Sequence, residues 1–393
     1  MEQLNLSDLY EDFCPVQIEI EEHPLETEER LNRAVEPLLE WFQKEARTMP
    51  WRSNPIPYWV WISEIMLQQT RVEAVRPYFD RFMRELPDIM ALAAVEEERL
   101  MKLWEGLGYY SRARNLKKAA LICVEQYGGE LPKTYEQLLE LPGIGSYTAG
   151  AIASIAYGQE VPAVDGNVLR VISRLLAAKE DISKPSVKKE VEQMLLALMH
   201  RTHPNPRAFT AALMELGALV CIPNGTPHCG KCPWYSICLA RMQNQTAEIP
   251  VKKKKADRKI EEKTVFLVQD GGLTAIRKRP NTGLLAGLYE LPNMQGYYSE
   301  KEVQRIWQEI LAVPVIVEKL KNGKHIFSHI EWHMQAYRII PKNKEEILEA
   351  NTDEKMSYMR ESSNDLLFVT QQQLNTDYAL PNAFKAWKKY WNG

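Results

Sequence analysis

The apolar residues of this chain change period once, near Pro250, and that switch requires two unlike domains. Between residues 31 and 240 they recur at three- and four-residue spacing, which places them on one face of successive helices. The runs fall at 31–42, 58–83, 97–104, 113–126 and 187–199, separated by Pro and Gly turns at Pro87, 106–108 and 128–132. A charged, glycine-free stretch follows at 252–263. Beyond it, strand-like runs at 264–268, 273–277, 313–320, 325–330 and 333–340 surround a helix at 300–312, and a second helix at 381–391 closes the chain. The pattern predicts an acidic extension over 1–30, an all-α domain over 31–240, a linker over 241–262 and an α+β domain over 263–393.

Composition narrows the classes. The 393 residues are 45% hydrophobic and 26% charged, as in ordinary soluble domains. No apolar run approaches the roughly 18 residues of a membrane helix. Ten acidic side chains and one basic one occupy the first thirty positions, the reverse of a signal or transit peptide. The expectation is a mobile acidic tail on a cytoplasmic protein. A net charge of −3 excludes a uniformly basic surface but leaves room for local patches. Two are visible: Arg112, Arg114, Lys117 and Lys118, and the run 252–255, which reads more simply as solvated linker.

Four of six cysteines crowd into eighteen residues, at Cys221, Cys229, Cys232 and Cys238. A cytosolic chain of this size does not depend on disulfides, so the cluster reads as a metal site. Zinc usually takes two separated Cys-x-x-Cys knuckles. One such pair flanked by two outlying cysteines suits an iron–sulfur cube, with zinc left open by spacing alone. Cys14 and Cys123 stand apart and read as free thiols, Cys123 in a core.

The stretch Leu141-Pro-Gly-Ile-Gly-Ser-Tyr-Thr-Ala-Gly150 turns at Gly143 and Gly145 and then starts a helix of small residues suited to close packing. Backbone N–H groups at such a turn can hold an anion. Downstream, Val164-Asp-Gly-Asn167 offers a carboxylate that would also suit a helix N-cap. Glu64 lies in Trp59-Val-Trp-Ile-Ser-Glu-Ile-Met-Leu, apolar almost all round. On sequence alone it joins Gln68 and Arg71 in a polar stripe; if buried instead, its carboxyl stays protonated near neutral pH.

Together these motifs resemble the helix–hairpin–helix DNA glycosylases, with the hairpin at 137–155 and an iron–sulfur loop at 221–238 similar to that of the endonuclease III branch. Ser63-Glu-Ile-Met-Leu-Gln-Gln-Thr70, Gly106-Leu-Gly-Tyr-Tyr-Ser111 and the C-terminal domain narrow the resemblance to adenine DNA glycosylases of the MutY type, over roughly residues 31–393. The resemblance implies that the anion is a DNA phosphate at Gly143 and Gly145, and that the substrate is duplex DNA with adenine mispaired with 8-oxoguanine or guanine. It implies one [4Fe-4S] cluster on the four cysteines and a monomeric enzyme. One departure stands out: seven residues separate Cys221 from Cys229 where the family usually has six, the extra one within turn-forming Pro-Asn-Gly-Thr-Pro.

The same resemblance assigns roles. Glu64 donates a proton to adenine N7, Asp165 either stabilises the sugar cation or forms a transient covalent bond to C1′, and Asn167 orients the site. Tyr147 stands where strand-cutting relatives carry a lysine, which implies base removal without strand cleavage. Gln69 and Tyr109 insert into the stack beside the opposite base, with Thr70 and Leu107 close to them, although Tyr109 and Tyr110 alone would read as core aromatics. Arg47, Trp51, Arg52 and Glu215 line the adenine pocket. The C-terminal domain resembles the Nudix fold around Gly283-Leu-Leu-Ala-Gly-Leu-Tyr-Glu-Leu-Pro292. Its helix offers Glu309 where Mg²⁺ binding needs several glutamates, so lesion recognition rather than hydrolysis is expected, through Phe327, Ser328 and His329. The competing readings are an endonuclease III-like lyase, a silent helix–hairpin–helix DNA-binding protein and an iron–sulfur electron carrier.

Overall fold

The computed structural model describes residues 25–253, 257–342 and 366–391. Nearly all of the acidic extension, Cys14 and part of the 252–255 lysine run lie outside them.

The amphipathic faces of the helical half assemble into two cores. One gathers the helices Pro57–Leu67, Val72–Glu85, Glu97–Leu103 and Ser111–Tyr127 around Trp61, Phe82 and Trp104. The other joins Thr27–Glu45, Gly166–Leu176, Pro185–Thr202 and Pro206–Leu219 around Leu38, Leu195 and Leu216. Met214 packs against both. Among the described residues, no helix is long and apolar enough to cross a membrane.

The run at 58–83 is two helices, not one. It breaks between Leu67 and Val72, with Gln69 in the left-handed region at φ 60°. Gln68 and Arg71 cap the two ends, so the expected polar stripe with Glu64 does not form. The hairpin consists of the short helices Tyr135–Leu139 and Ser146–Ala151. Its turn relies on positive φ at Gly143 alone (81°); Gly145 is extended at φ −99°, ψ −178°, contrary to the sequence reading. The small-residue helix does pack closely. A Cβ on Gly150 would stand 2.3 Å from the carbonyl oxygen of Pro162.

The C-terminal domain is built on strands β1 (Lys259–Asp270), β2 (Leu273–Lys278), β3 (Tyr289–Glu290), β4 (Asn293–Gln295), β5 (Val315–Ile326), β6 (Ile330–Pro341) and β7 (Leu366–Thr370). The main sheet order is β3-β2-β1-β6-β5, with β4 on β1 and β7 on β2. β1 and β6 pair in parallel and the other pairs are antiparallel. Both faces are covered, one around Trp332, Phe384 and Trp387, the other around Phe266, Trp307 and Tyr337. Three expectations need correction. β1 begins at Lys259, inside the stretch read as linker. The 325–330 run spans the β5–β6 turn, with 327–329 outside both strands. The closing segment Asn382–Tyr390 is a 3₁₀ helix, not an α-helix.

The two halves are joined by specific contacts. Leu288 and Ala379 enter the first helical core. Lys102 Nζ donates to the carbonyls of Leu374 (2.9 Å) and Tyr378 (3.0 Å), and the Leu380 amide donates to Glu105 Oε1 at 2.9 Å.

Because backbone rather than a mobile side chain fills the space beside Gly150, Gly150→Ala should cost about 1–3 kcal/mol of stability. Urea denaturation of the two proteins measures it.

Candidate functional site

Glu64 sits in mid-helix, buried among Trp61, Ile62, Ile65 and Met66, with 5% of its surface exposed. Burial pushes its carboxyl above the usual value; the Tyr147 hydroxyl, donating to Oε2 at 2.5 Å, and the nearby Arg52 charge oppose this, while Asp165 reinforces it. Tyr147 is raised well above its ordinary value by burial and by the two carboxyls, so it remains a phenol and a donor. Its hydroxyl also contacts Met214 Sδ at 3.7 Å.

Asp165 caps the Gly166–Leu176 helix. Its Oδ1 accepts from the amides of Asn167 (2.9 Å) and Val168 (2.8 Å), and Oδ2 from the Asn167 side chain at 2.7 Å. Burial raises its carboxyl, and these donors and Arg170 pull it back. Arg170 Nη2 donates to Asn167 Oδ1 at 2.9 Å and so fixes which way the Asn167 amide faces. Three donors favour the anion at Asp165, whereas Glu64 has one. The hydrogen bonds thus favour the anion more strongly at Asp165 than at Glu64.

Beside them lies a buried ion triad. Glu215, fully covered, accepts from Arg47 Nε and Arg52 Nη1, both at 2.7 Å. Burial alone would raise Glu215, but the two guanidiniums hold it below its usual value. Trp51 is buried next to Arg52. Glu215 therefore positions the arginines and has no exposed face of its own.

The other candidates divide by exposure. Gln69 and Tyr109 are exposed, Thr70 is half-buried, and Leu107 is buried in the first core, unlike its expected neighbours at the surface. Tyr110 is a core aromatic, as composition suggested. Tyr109 adopts φ 47° and hydrogen-bonds through its hydroxyl to Ser328 Oγ at 2.9 Å, across the two domains. Phe327 turns inward, 4.8 Å from the Trp332 ring, while His329 is exposed and its carbonyl accepts from the Lys259 amide at 3.0 Å. Gly143 and Gly145 are exposed at the hairpin, and Lys188 reaches Ser146 Oγ at 2.9 Å beside it.

The expected basic patch at 112–118 does not exist as such. Arg112 is buried, Arg114 pairs with Glu97 at 2.7 Å, and Lys117 donates to the Val95 carbonyl. Arg112 and Arg170 are the residues that sequence reasoning missed. An arginine at helical spacing reads as solvated surface, and no local signal marks one that turns inward.

Cys221, Cys229, Cys232 and Cys238 line one pocket together with Arg174 and Arg241. Burial raises the thiols of Cys229, Cys232 and Cys238, Cys232 to about 12, and their mutual repulsion adds to it. Arg174 and Arg241 oppose this at Cys229. Among the described residues, no group of three or more His, Cys, Asp or Glu is placed to hold a single metal ion. Cys123 is a buried core thiol, pushed up to about 11.

Comparison with known proteins places this geometry. Residues 62–196 match the model of the HhH-GPD superfamily of base excision DNA repair proteins, and residues 264–389 match the NUDIX domain. Human adenine DNA glycosylase is 37% identical over 361 residues, covering 76% of this chain and 65% of its own length. The Buchnera aphidicola (subsp. Baizongia pistaciae) adenine DNA glycosylase is 33% identical over 305 residues, covering 77% of this chain and 85% of its own. The Arabidopsis thaliana enzyme is 35% identical, over 75% of this chain and 55% of its own. The fold and the match over residues 62–196 define a helix–hairpin–helix base-excision repair protein. Within that class, the chain belongs to the adenine DNA glycosylases.

The displaced proton of Glu64 has a measurable consequence. Between the usual carboxyl value near 4.5 and the raised native one, the folded state holds a proton that the unfolded chain has released. Wild-type stability should therefore fall as pH rises through that window, and Glu64→Gln should not share the fall. Chemical denaturation at about pH 5 and about pH 8 should show the variant's relative stability increasing at the higher pH.

Proposed function

We propose that the protein hydrolyses the N-glycosidic bond of adenine mispaired with 8-oxoguanine, leaving an abasic site in an uncut strand. The observation that carries this reading is the pairing of Glu64, buried and held by one phenol, with Asp165, held by three N–H donors. Adenine leaves poorly until protonated, and Glu64 supplies that proton at N7 as general acid. Departure of the base leaves an oxocarbenium-like sugar. An ionised Asp165 at about 4 Å stabilises it by about 4 kcal/mol at an effective dielectric of about 20, roughly a thousandfold in rate. Tyr147 keeps Glu64 oriented and has no amine with which to form a Schiff base, so water completes the reaction. The target base must leave the duplex, and Gln69 and Tyr109 are the exposed side chains at hand to fill the gap. Contact between Tyr109 and Ser328 supports a reading in which the second domain senses the base opposite the adenine.

Measured on duplexes with adenine opposite 8-oxoguanine or guanine, Glu64→Gln and Asp165→Asn should each lower single-turnover excision by at least about 10³-fold with lesion binding retained. Ser328→Ala with His329→Ala should keep excision but reduce the 8-oxoguanine preference about ten- to a hundredfold. Near-normal rates in either carboxyl variant would overturn the assignment.

The four cysteines would hold one [4Fe-4S] cluster, whose contribution on this reading is to brace the loop against DNA. Arg30, Arg170, Arg174 and Arg241 stand within electrostatic reach of these thiols and would balance the negative charge of four thiolates. Anaerobically purified protein should contain iron and acid-labile sulfide in about equal amounts, and Cys232→Ser should lose both; zinc without iron would refute this.

A further inference from the structure

We propose that Arg112 is a positioning residue for base extrusion: it clamps from inside the two loops that present Gln69 and Tyr109, so that both side chains enter the duplex together. The inference rests on the adenine-excision reading and adds to it a residue that touches neither base nor sugar.

The geometry is unusual for an arginine. Nη1 donates to the carbonyls of Ile65 (2.5 Å), Met66 (3.3 Å) and Gln68 (2.8 Å), and Nη2 to those of Leu107 (2.9 Å) and Gly108 (3.1 Å). Among the described residues, Arg112 has no carboxylate partner within ion-pair distance; five backbone carbonyls take that place. Burial lowers its pKa to about 10, which leaves it charged at neutral pH. Three of the carbonyls close the Pro57–Leu67 helix, where oxygens lack helical partners and the dipole is negative. The guanidinium thus ends the Glu64 helix and opens the Gln69 turn in one contact. Its plane also lies 5.3 Å from the Trp104 ring centroid and 5.6 Å from that of Tyr109, and Trp104 Nε1 donates to the same Gly108 carbonyl at 3.0 Å.

The two loops share a second feature. Gln69 (φ 60°) and Tyr109 (φ 47°) are both non-glycine residues held in the left-handed region. Such conformations persist where surrounding structure determines them, and Arg112 grips the residue preceding each. A planar fork is needed: one guanidinium reaches both segments at once, whereas a lysine ammonium is a point charge that cannot satisfy both.

The test separates extrusion from chemistry. Arg112→Lys keeps the charge and removes the fork. 2-Aminopurine placed beside the target adenine reports unstacking, and single-turnover excision is compared between the 8-oxoguanine duplex and a strand carrying the adenine in an unpaired bulge. We expect unstacking and duplex excision to slow ten- to a hundredfold, with bulge excision within about threefold of wild type. Equal losses on both substrates would reduce Arg112 to a general structural role, and near-wild-type unstacking would refute the clamp. If Arg112→Lys does not fold, Gly108→Ala carries the test. It strains a gripped position (φ 70°) without touching the guanidinium and should shift the duplex-to-bulge ratio in the same direction. An unchanged ratio would overturn the proposal. Failure of the wild-type protein to excise adenine from the 8-oxoguanine duplex would instead contradict the adenine-excision reading itself.

Discussion

A carboxyl group buried in the middle of an apolar helix is the constraint to which the active region answers. Glu64 has Trp61, Ile62, Ile65 and Met66 around it, and a charged form there would be heavily penalised. The helical domain accommodates it at the seam of its two cores. Tyr147 comes from the hairpin side, Asp165 from the start of the Gly166–Leu176 helix, and Met214 packs against both cores. Gly150 permits the close approach that brings the Pro162–Asp165 segment to this seam. The packing needed for stability and the placement of the two carboxyls are thus the same arrangement.

The carboxyls differ because their elements differ. Mid-helix, the backbone around Glu64 is fully engaged, and only a side chain can donate to it. At a helix N-terminus, free amides are available by construction, and Asp165 takes two of them. Its capping role and its proposed role as an anion beside the sugar are one and the same hydrogen-bond set. Arg170 extends the set by fixing the Asn167 amide, and it is itself anchored to the carbonyls of Gly217 and Cys221, each at 2.8 Å. Through Cys221 the carboxylate is connected to the cysteine loop.

The two fold types, the cysteine cluster and the hairpin were legible because each is marked by local pattern, a change of period, clustered thiols, paired glycines; Glu64 and Asp165 stood out only through the family resemblance, since on sequence alone Glu64 joined a polar stripe. What was not legible depended on long-range partners. Period alone could not show that the run at 58–83 breaks at Gln69, because the carbonyls on either side of the last turn are bonded by Arg112, some forty residues later. Nor could charge patterning show that Arg112 and Arg170 turn inward while Arg114 pairs with Glu97. Strand propensity carried the 325–330 run straight through 327–329, where the chain in fact turns between β5 and β6. Gly145 was read as a positive-φ position, but an extended N-cap accepts any residue, and only Gly143 uses the freedom.

The loop 106–109 shows why two domains are joined so closely at this place. The Leu380 amide bonds Glu105, and Asn382 Nδ2 reaches the Gly106 carbonyl at 3.4 Å, immediately before the loop. From the other side Arg112 holds Leu107 and Gly108. The segment leading to Tyr109 is therefore fastened to both domains, and the Tyr109 hydroxyl meets Ser328 of the second. On the proposed function, a domain that senses the base opposite the adenine has to report on the same base pair that the helical domain opens. That requires a fixed distance between the β5–β6 turn and the Gln69 and Tyr109 loops. A flexible tether could not supply it, whereas side-chain-to-backbone bonds at Glu105, Lys102 and Gly106 can. On this view the C-terminal sheet contributes rigidity of placement, and the closing 3₁₀ segment matters as the part that carries Asn382 to the loop.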